Sequence, residues 1–349
     1  MQNEILAAFG LDAQKYLVKN FGTGLINHTW KVSGDRSYIL QRINKSVFKK
    51  PEEIAQNIDL VGEYLKQHYP AYLFIAPEKL PGGDSMLHYS DGEYYRLTPF
   101  VEDSVCIATL ETADEAYEAA KQFGRFSALL SNFESSRLNY TLPDFHNLTL
   151  RYNQLQSAIA STSAERLEKA TKAIALSEKY KDINDTYHNV VAAGKIPLRV
   201  IHHDTKISNV LFDGDRKGLC VIDLDTIMPG YITSDLGDMM RTYLSPAGEE
   251  ENEFGKVCVR TEVFKALIEG YFAEMGTILT AQEKRLVVYS GKFMIYMQAI
   301  RFLADYLNND IYYGSKYPGH NLVRAENQFT LLEHYVALED EFEAIVSQL

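Results

Sequence analysis

The side chains best suited to chemistry lie in one short segment past the middle of the chain, VIHHDTKISNVLFDGDRKGLCVIDLD. His202, Asp204 and Asn209 form an H-x-D-x-x-x-x-N pattern, and Asp223 and Asp225 follow a short apolar run. Phosphoryl transfer from a magnesium nucleotide needs an oxygen that takes the proton of the attacking hydroxyl, and hard oxygen ligands for the metal. The segment therefore predicts phosphoryl transfer, with Asp204 as the base and with Asn209 and Asp223 as metal ligands.

Some of these residues also have structural explanations. A lone aspartate after a strand often caps a turn, but in register with His202 and the later acidic residues Asp204 favours catalysis. His202 itself is expected to shape the loop through hydrogen bonds rather than to react. Asp225 is either a second metal ligand or the partner of a nearby cation, and the sequence leaves both open.

A hairpin is expected to bring the two metal ligands together. Short strands are predicted at Leu198–Ile201, Val210–Phe212 and Leu219–Ile222, and the last two are separated by turn residues. Pairing of these two strands would place Asn209 beside Asp223. The structural explanation of this region, an ordinary hairpin, thus agrees with the functional one.

Two glycines near the N-terminus form a candidate phosphate loop. Gly22 and Gly24 precede the first predicted hairpin, and glycine lets backbone amides approach a phosphate without obstruction by a Cβ atom. A single G-x-G is often a plain turn, so both explanations stay open.

The elements that must position these residues change in character along the chain. Up to the segment Pro99–Glu102 the pattern is mixed, and we place a boundary between lobes there, dividing residues 1–101 from residues 102–349. The first part should contain a helix over residues 1–20 that buries Ile5, Leu6, Phe9, Tyr16 and Leu17, a hairpin of Thr29–Val32 with Ser37–Leu40, a helix from Pro51, and two short strands around Asp91-Gly92.

Long helices dominate the second part. Thr112 and Thr280 each begin a T-x-x-E capping box, in which the hydroxyl and the glutamate satisfy the first backbone amides of a helix. The second helix should run without interruption to about Asn308. The expected fold is therefore α+β, with a small β-rich N-lobe and a larger, mainly helical C-lobe.

Composition limits the class of protein. The chain has 349 residues, 46% of them hydrophobic, and a formal charge of −12, which argues against a nucleic-acid or anionic-membrane surface. Cys106, Cys220 and Cys258 lack metal-site or disulfide spacing and are expected to be buried thiols in a reducing compartment. No signal peptide or run of about 20 apolar residues is evident, so a cytoplasmic protein is expected.

At this level of detail the chain resembles the aminoglycoside phosphotransferase and choline kinase family, which has a protein-kinase-like fold. Within that family it is most similar to the bacterial N-acetylhexosamine 1-kinases. The matching pieces are the glycine loop with Asn27, the catalytic IHHDTKISN, the VIDLD motif, Ser234–Gly237, Asp223–Gly230, Arg301–Leu307, Asp310–Tyr312 and Tyr317–Arg324.

The resemblance implies a role for each matching residue, with ATP and Mg²⁺ as cofactors and a small sugar as substrate. Asp204 would deprotonate the anomeric hydroxyl of GlcNAc or GalNAc, and Asp223 with Asn209 would hold Mg²⁺. The other implied roles are nucleotide binding by Gly22, Gly24, Asn27, Arg42, Phe100 and Val101, sugar binding by Arg301 and Tyr312, and loop structuring by His202, Asp225 and Asp235.

Arg301 is unusual on chemical grounds as well, because its helix is otherwise apolar. The plain alternative is an i,i+4 pair with Asp305, worth only about 0.2–0.5 kcal/mol. A guanidinium in such surroundings favours a stronger use, such as a fork of donors for sugar oxygens. Tyr312 has the alternative of a simple core aromatic residue.

The sequence departs from the family pattern at two positions. Kinases of this fold often carry a strand lysine that reaches the nucleotide phosphates, but the expected position here is Gln41, and Arg42 or the glycine loop is left to make that contact. Leu25 stands where a histidine is expected, which leaves the preferred sugar open.

Other functions remain compatible with the sequence. The chain could phosphorylate another small alcohol, such as choline, homoserine or an aminoglycoside, or bind nucleotide without catalysis. A metal-dependent hydrolase built on His202, His203 and Asp204 is disfavoured, since H-H-D lacks a second helical ligand pair.

Overall fold

The computed structural model describes residues 2–22 and 26–349. The N-terminal part forms a five-stranded sheet of antiparallel neighbours in the order β1-β2-β3-β5-β4. Its elements are α1 (Gln2–Ala8), β1 (Leu17–Asn20), β2 (His28–Ser33), β3 (Tyr38–Arg42), α2 (Pro51–His68), β4 (Leu87–His88) and β5 (Tyr94–Pro99).

The two faces of this sheet have different uses. Alternate residues of a strand point to opposite faces, and one face, which includes Leu40 and Leu97, is buried against Ile5 and Leu6 of α1. Gln41 and Arg96 are direct cross-strand partners on the other face. The apolar alternation thus fixes the register and turns these two polar residues away from the small core.

The predicted helix over residues 1–20 is wrong beyond its first two turns. α1 ends at Ala8, and Gly10 follows with a φ of +78°, in the left-handed region that suits glycine. Leu17 then lies in β1, paired with Ser33 of β2, and is 55% exposed instead of buried. Backbone pairing with β2 replaces the helical burial that the apolar spacing suggested.

The strand that follows β5 belongs to a different sheet. β6 (Val105–Cys106) pairs with β8 (Val210–Phe212), which lies far along the chain and also pairs with β9 (Gly218–Val221). β7 (Arg199–Ile201) and β10 (Met228–Gly230) form a separate antiparallel pair. The predicted β8–β9 hairpin is confirmed.

α2 ties the two parts of the molecule together. Its apolar residues belong to the same large core as the C-terminal helices. Asn57, which is fully buried, donates from Nδ2 to the carbonyls of Asn139 at 2.8 Å and Ile227 at 2.9 Å. This helix is therefore anchored on the larger lobe.

The larger lobe is helical, so the α+β class is confirmed. Both capping boxes are present, but the helix that Thr280 begins is short, and a new helix starts at Val287. Of the three free cysteines, Cys220 is buried as predicted whereas Cys106 is exposed. The helices are α3 (Ala113–Leu129), α4 (Leu148–Ser161), α5 (Ala164–Lys169), α6 (Thr171–Lys179), α7 (Asp182–Ala193), α8 (Ile232–Tyr243), α9 (Thr261–Met275), α10 (Ala281–Lys284), α11 (Val287–Leu307), α12 (His320–Ala337) and α13 (Glu339–Val346).

The centre of this lobe is α11, which is buried along nearly its whole length between α8, α4 and α12. α3 and α9 pack closely because each has a glycine at the contact: a Cβ atom at Gly270 would lie 2.2 Å from the carbonyl oxygen of Tyr117. No helix within the described residues combines the length and the apolar character needed to cross a membrane.

Candidate active site

The loop after β7 is held through its backbone by two carboxylates of α8. The amides of His202 and His203 donate to the two carboxylate oxygens of Asp235, at 3.1 and 2.7 Å. The amide of Thr205 donates to Oδ2 of Asp238 at 2.9 Å. Asp235 is fully buried. Because the bonds go to the main chain, they fix the path of the loop on either side of Asp204.

Asp204 itself presents its carboxylate at the surface of this loop. The side chain is 27% exposed, and its Oδ1 lies 3.0 Å from Nζ of Lys206. The short turn Ile207–Asn209 has no side-chain cap, so capping by Asp204 is not what the structure shows. The carbonyl oxygen of Asp204 accepts a hydrogen bond from Nδ2 of Asn209 at 2.9 Å. The carboxylate is thus positioned yet accessible to a ligand.

His202 is buried beneath the loop and is used for hydrogen bonding. Its Nε2 lies 2.9 Å from the carbonyl oxygen of Ile222, and its own carbonyl accepts from the hydroxyl of Thr226 at 2.6 Å. The ring packs edge-on against Phe123 with a centroid distance of 5.1 Å. The histidine links the loop to β9 and the turn that follows it.

Asn209 and Asp223 are brought together by the hairpin. The amide of Ile222 donates to the carbonyl of Asn209 at 2.9 Å, and Asp223 follows in the left-handed conformation, with a φ of 59°. The pKa of Asp223 is raised to about 7, because protein atoms displace part of its hydration and because Asp225 and Asp204 repel its charge. A bound cation would relieve that repulsion, so the residues fit a metal ion.

Within residues 2–22 and 26–349, no group of three or more His, Cys, Asp or Glu side chains is placed to hold a metal unaided. Mg²⁺ commonly keeps several waters and uses one or two carboxylates together with the phosphates of a substrate. An Asn209 and Asp223 pair suits a metal that arrives with a nucleotide.

Asp225 joins the two lobes at the centre of the site. It forms a buried ion pair with Nη1 of Arg96 on β5, and its Oδ2 accepts from Nδ2 of Asn27 at 2.7 Å. Oδ1 of Asn27 in turn accepts from the amide of Asn44 at 3.0 Å. Of the two alternatives left by the sequence, the structure therefore shows pairing with a cation.

Arg96 was not singled out by the sequence, although it is the cation at this junction. Its Nε and Nη2 donate to Oε1 of Gln41 at 2.9 and 2.8 Å. The signal available beforehand was strand alternation: once β3 and β5 are paired in register, Arg96 must share a face with Gln41.

Arg42 lies on the opposite face of the sheet from that junction. Its cross-strand partners are His28 and Tyr95, and the Tyr95 ring is buried in the small core. A one-residue step along a strand reverses the direction of the side chain, so Arg42 does not line the cleft with Gln41 and Arg96. The nucleotide contact predicted for Arg42 would therefore have to be made from the other face of the sheet.

The sequence also predicts nucleotide binding by Gly22, Gly24, Phe100 and Val101. Gly22 has a φ of 75° and open space where a Cβ would stand, whereas Gly24 lies outside the described residues. The ring of Phe100 packs edge-on against Phe21 at 5.9 Å, with Nζ of Lys31 3.4 Å from its centroid. The neighbouring Val101 accepts from the Ser104 hydroxyl through its carbonyl at 2.6 Å.

Arg301 lies among aromatic rings. Its Cζ is 5.6 Å from the ring centroid of Phe145, 5.6 Å from Tyr313 and 6.0 Å from Tyr312, and its Nη1 donates to Gln298 at 3.2 Å. The expected alternative partner, Asp305, accepts instead from the amides of Tyr312 and Tyr313 at 2.8 and 3.0 Å. Asp305 thus holds the loop after α11 and does not form the i,i+4 pair with Arg301.

Phe145 and His146 connect Arg301 to the loop after β7. Their rings stack at 4.3 Å, and the His146 ring lies 5.4 Å from that of His203. The hydroxyl of Ser234 bonds Nδ1 of both histidines, at 2.8 Å in the case of His203. Burial lowers the pKa of His203 to about 3 and that of His146 well below its usual value. Phe145 and His146 lie in a loop, where no periodic pattern in the sequence marks them.

Comparison with known proteins agrees with this geometry. Residues 18–257 match the profile of the phosphotransferase enzyme family. A spectinomycin phosphotransferase in complex with ADP and spectinomycin is similar over 100% of this chain and 98% of that one, with 15% identity and a TM-score of 0.58. A microcompartment-associated aminopropanol kinase covers 97% of both chains, with 16% identity and a TM-score of 0.65.

A third similar structure is a choline/ethanolamine kinase family protein from Mesorhizobium loti. It matches over 100% of this chain and 99% of that chain, with 14% identity and a TM-score of 0.57. At these identities the likeness establishes the fold, and the predicted two-lobed, protein-kinase-like arrangement is confirmed.

Proposed function

Because the chain belongs to the phosphotransferase enzyme family, we propose that it transfers the γ-phosphate of ATP to the anomeric hydroxyl of an N-acetylhexosamine. The observation that carries the phosphoryl transfer is the placement of Asp204. Its accessible carboxylate stands on a loop fixed by Asp235, one short turn from Asn209 and near Asp223. The products would be ADP and the hexosamine 1-phosphate.

In this reaction Asp204 orients the sugar hydroxyl and accepts its proton as the oxygen attacks the γ-phosphorus. The new bond joins the sugar oxygen to phosphorus, and the bond between phosphorus and the bridging β,γ-oxygen breaks, which leaves ADP. Asn209 and Asp223 would hold Mg²⁺, which supplies neutralisation of the phosphate charge. Lys206 lies beside this carboxylate, with its Nζ 3.0 Å from Oδ1 of Asp204.

The acceptor is proposed from the chemistry around Arg301. The guanidinium is fixed among three aromatic rings and is not paired with Asp305, the carboxylate nearest to it on its helix. Such a group offers several N–H donors to hydroxyl or acetamido oxygens, and aromatic rings provide apolar surface for a sugar ring. A cationic acceptor such as choline would be repelled by the same guanidinium, although the rings alone would suit it.

An acceptor panel tests the proposal. The protein is incubated with MgATP and separately with GlcNAc, GalNAc, glucose, galactose, choline or homoserine, while ADP release is followed and the product is identified by ³¹P NMR. We expect turnover on the N-acetylhexosamines with a phosphate on C1, and a much lower rate with glucose and galactose. Turnover on choline or homoserine, but on no sugar, would contradict the proposed acceptor. ADP binding without turnover on any alcohol would favour a silent nucleotide-binding protein.

A further inference from the structure

Arg96 is a buried cation at the junction of the two lobes. It lies on β5, its side chain is only 4% exposed, and it pairs with Asp225 of the larger lobe. Arginine is rarely buried without a specific partner or task. The proposed proton transfer through Asp204 does not use Arg96.

Arg96 lies close to the acidic centre of the site, which consists of the carboxylates of Asp204, Asp223 and Asp225. Its guanidinium pairs with Asp225, which lies two residues beyond Asp223 and also accepts a hydrogen bond from Asn27. The other cation of the centre, Lys206, is paired with Asp204. Arg96 is therefore the cation on the β-sheet side of the carboxylate proposed to hold Mg²⁺, where the phosphates of a bound nucleotide must also lie.

The guanidinium is firmly held but not saturated. Nη1 donates to Asp225, and Nε and Nη2 donate to the single oxygen Oε1 of Gln41. A guanidinium has five N–H donors, so one N–H on Nη1 and one on Nη2 have no acceptor among the residues that the structure describes. Two fixed donors on adjacent nitrogens match the geometry of phosphate oxygens.

The register of the sheet explains why the cation comes from this strand. In protein kinases the lysine that contacts the nucleotide phosphates extends from the third strand of the sheet. This chain has Gln41 at that position. Arg96 is the direct cross-strand partner of Gln41 and points to the same face. A cation on β5 can thus occupy the space that a lysine on β3 would otherwise fill.

We propose that Arg96 contacts the α- and β-phosphates of the bound nucleotide, and that Gln41 and Asp225 hold its guanidinium for this contact. This role rests on the proposed use of ATP but not on the identity of the acceptor. The competing role is purely structural: through Asp225, which also binds Asn27, Arg96 would only join the lobes.

Nucleotide binding separates the two roles, because adenosine shares everything with ADP except the phosphates. Affinities for ADP and adenosine are measured by calorimetry in EDTA, so that no metal takes part. For Arg96→Gln we expect about 10- to 100-fold weaker binding of ADP, the range of lost charge-assisted hydrogen bonds, and adenosine binding within about twofold of the wild type. The matched control is Arg199→Gln, which removes another arginine from a carboxylate pair, with Glu283 at 2.7 Å, and should leave both affinities unchanged.

A double variant guards against misfolding. Arg96→Gln leaves Asp225 as an unpaired buried carboxylate, which is destabilising, whereas Arg96→Gln with Asp225→Asn removes both charges together. The double variant should show the same loss for ADP alone. An equal loss for ADP and adenosine, or no loss for ADP, would overturn the inference. Since no acceptor is present, absence of turnover on sugars would contradict the proposed acceptor and would leave this result intact.

Discussion

The loop after β7 and the proposed acceptor pocket, formed by Arg301 with three aromatic rings, are built in different ways. The loop is one continuous segment, and its main-chain amides at His202, His203 and Thr205 are bound by carboxylates of a single helix. The surroundings of Arg301 come from separate segments, and they contact it through side chains. Backbone bonds tolerate few changes of conformation, whereas side-chain contacts can be exchanged one at a time.

Exposure follows the same division. Asp235 is fully buried behind the loop, whereas Tyr312, whose ring lies beside Arg301, is 72% exposed. A fold constructed in this manner can keep its phosphoryl-transfer chemistry while its acceptor changes. Substitutions in the loop should therefore affect rate and stability, and substitutions around Arg301 should affect acceptor binding.

The largest effect should follow from Asp204→Asn. Loss of a general base typically costs a factor of about 10²–10⁴, so we expect kcat to fall by about 10³. Stability should change by less than about 0.5 kcal/mol, because the side chain is partly exposed and its pair with Lys206 is near the surface. The exposed Asp215→Asn, on the turn of the β8–β9 hairpin, is the control. ADP release by Asp204→Asn at a near-normal rate would remove this residue from its proposed role.

A smaller effect, now on both stability and rate, is expected for Asp235→Asn. An amide has one acceptor oxygen, so at least one of the amides of His202 and His203 would lose its buried partner. That loss should lower the free energy of unfolding by about 1–3 kcal/mol, and the loosened loop should lower kcat with little change in the KM for ATP. Asp185→Asn, an exposed aspartate in the first turn of α7, should change neither.

The same contrast explains how much could be predicted from the sequence. The β8–β9 hairpin and the capping boxes could be predicted from local patterns, because each is formed by residues close in the chain. Arg96 required the register of two strands, and the helix over residues 1–20 failed because β1 pairs with β2, a tertiary interaction that periodicity does not contain. Phe145 and His146 are placed by packing in a loop, where no repeat in the sequence marks them.

Arg301→Met tests the pocket and should leave the loop intact. Removal of the guanidinium should raise the KM for the N-acetylhexosamine by about tenfold or more, equivalent to about 1.4 kcal/mol or more, while affinity for ADP stays the same. Arg285→Met, an exposed arginine just before α11, is the matched control. A fall in kcat without a change in acceptor KM would show that Arg301 acts through the loop, and the separation between the two regions would then fail.

The smallest effect concerns the contact between the two regions, where Ser234 bonds both His146 and His203. The folded protein keeps His203 neutral, with its pKa lowered to about 3 by burial, whereas the unfolded chain takes up a proton near pH 6.5. Stability should therefore fall as the pH drops below about 6.5, because the unfolded state then binds more protons. Between pH 7.5 and 5.5 each such histidine should remove about 1.4 kcal/mol of unfolding free energy.

Denaturant titrations at several pH values measure this slope, and His203→Asn should reduce it. Asparagine is suited to the left-handed backbone at this position, where φ is 67°, so the variant removes the titrating group without backbone strain. The exposed His188→Asn should keep the wild-type slope. If the slope is unchanged in His203→Asn, His203 must accept a proton in the folded protein as readily as in the unfolded chain. Acidification would then place a charge at the contact between the pocket and the loop.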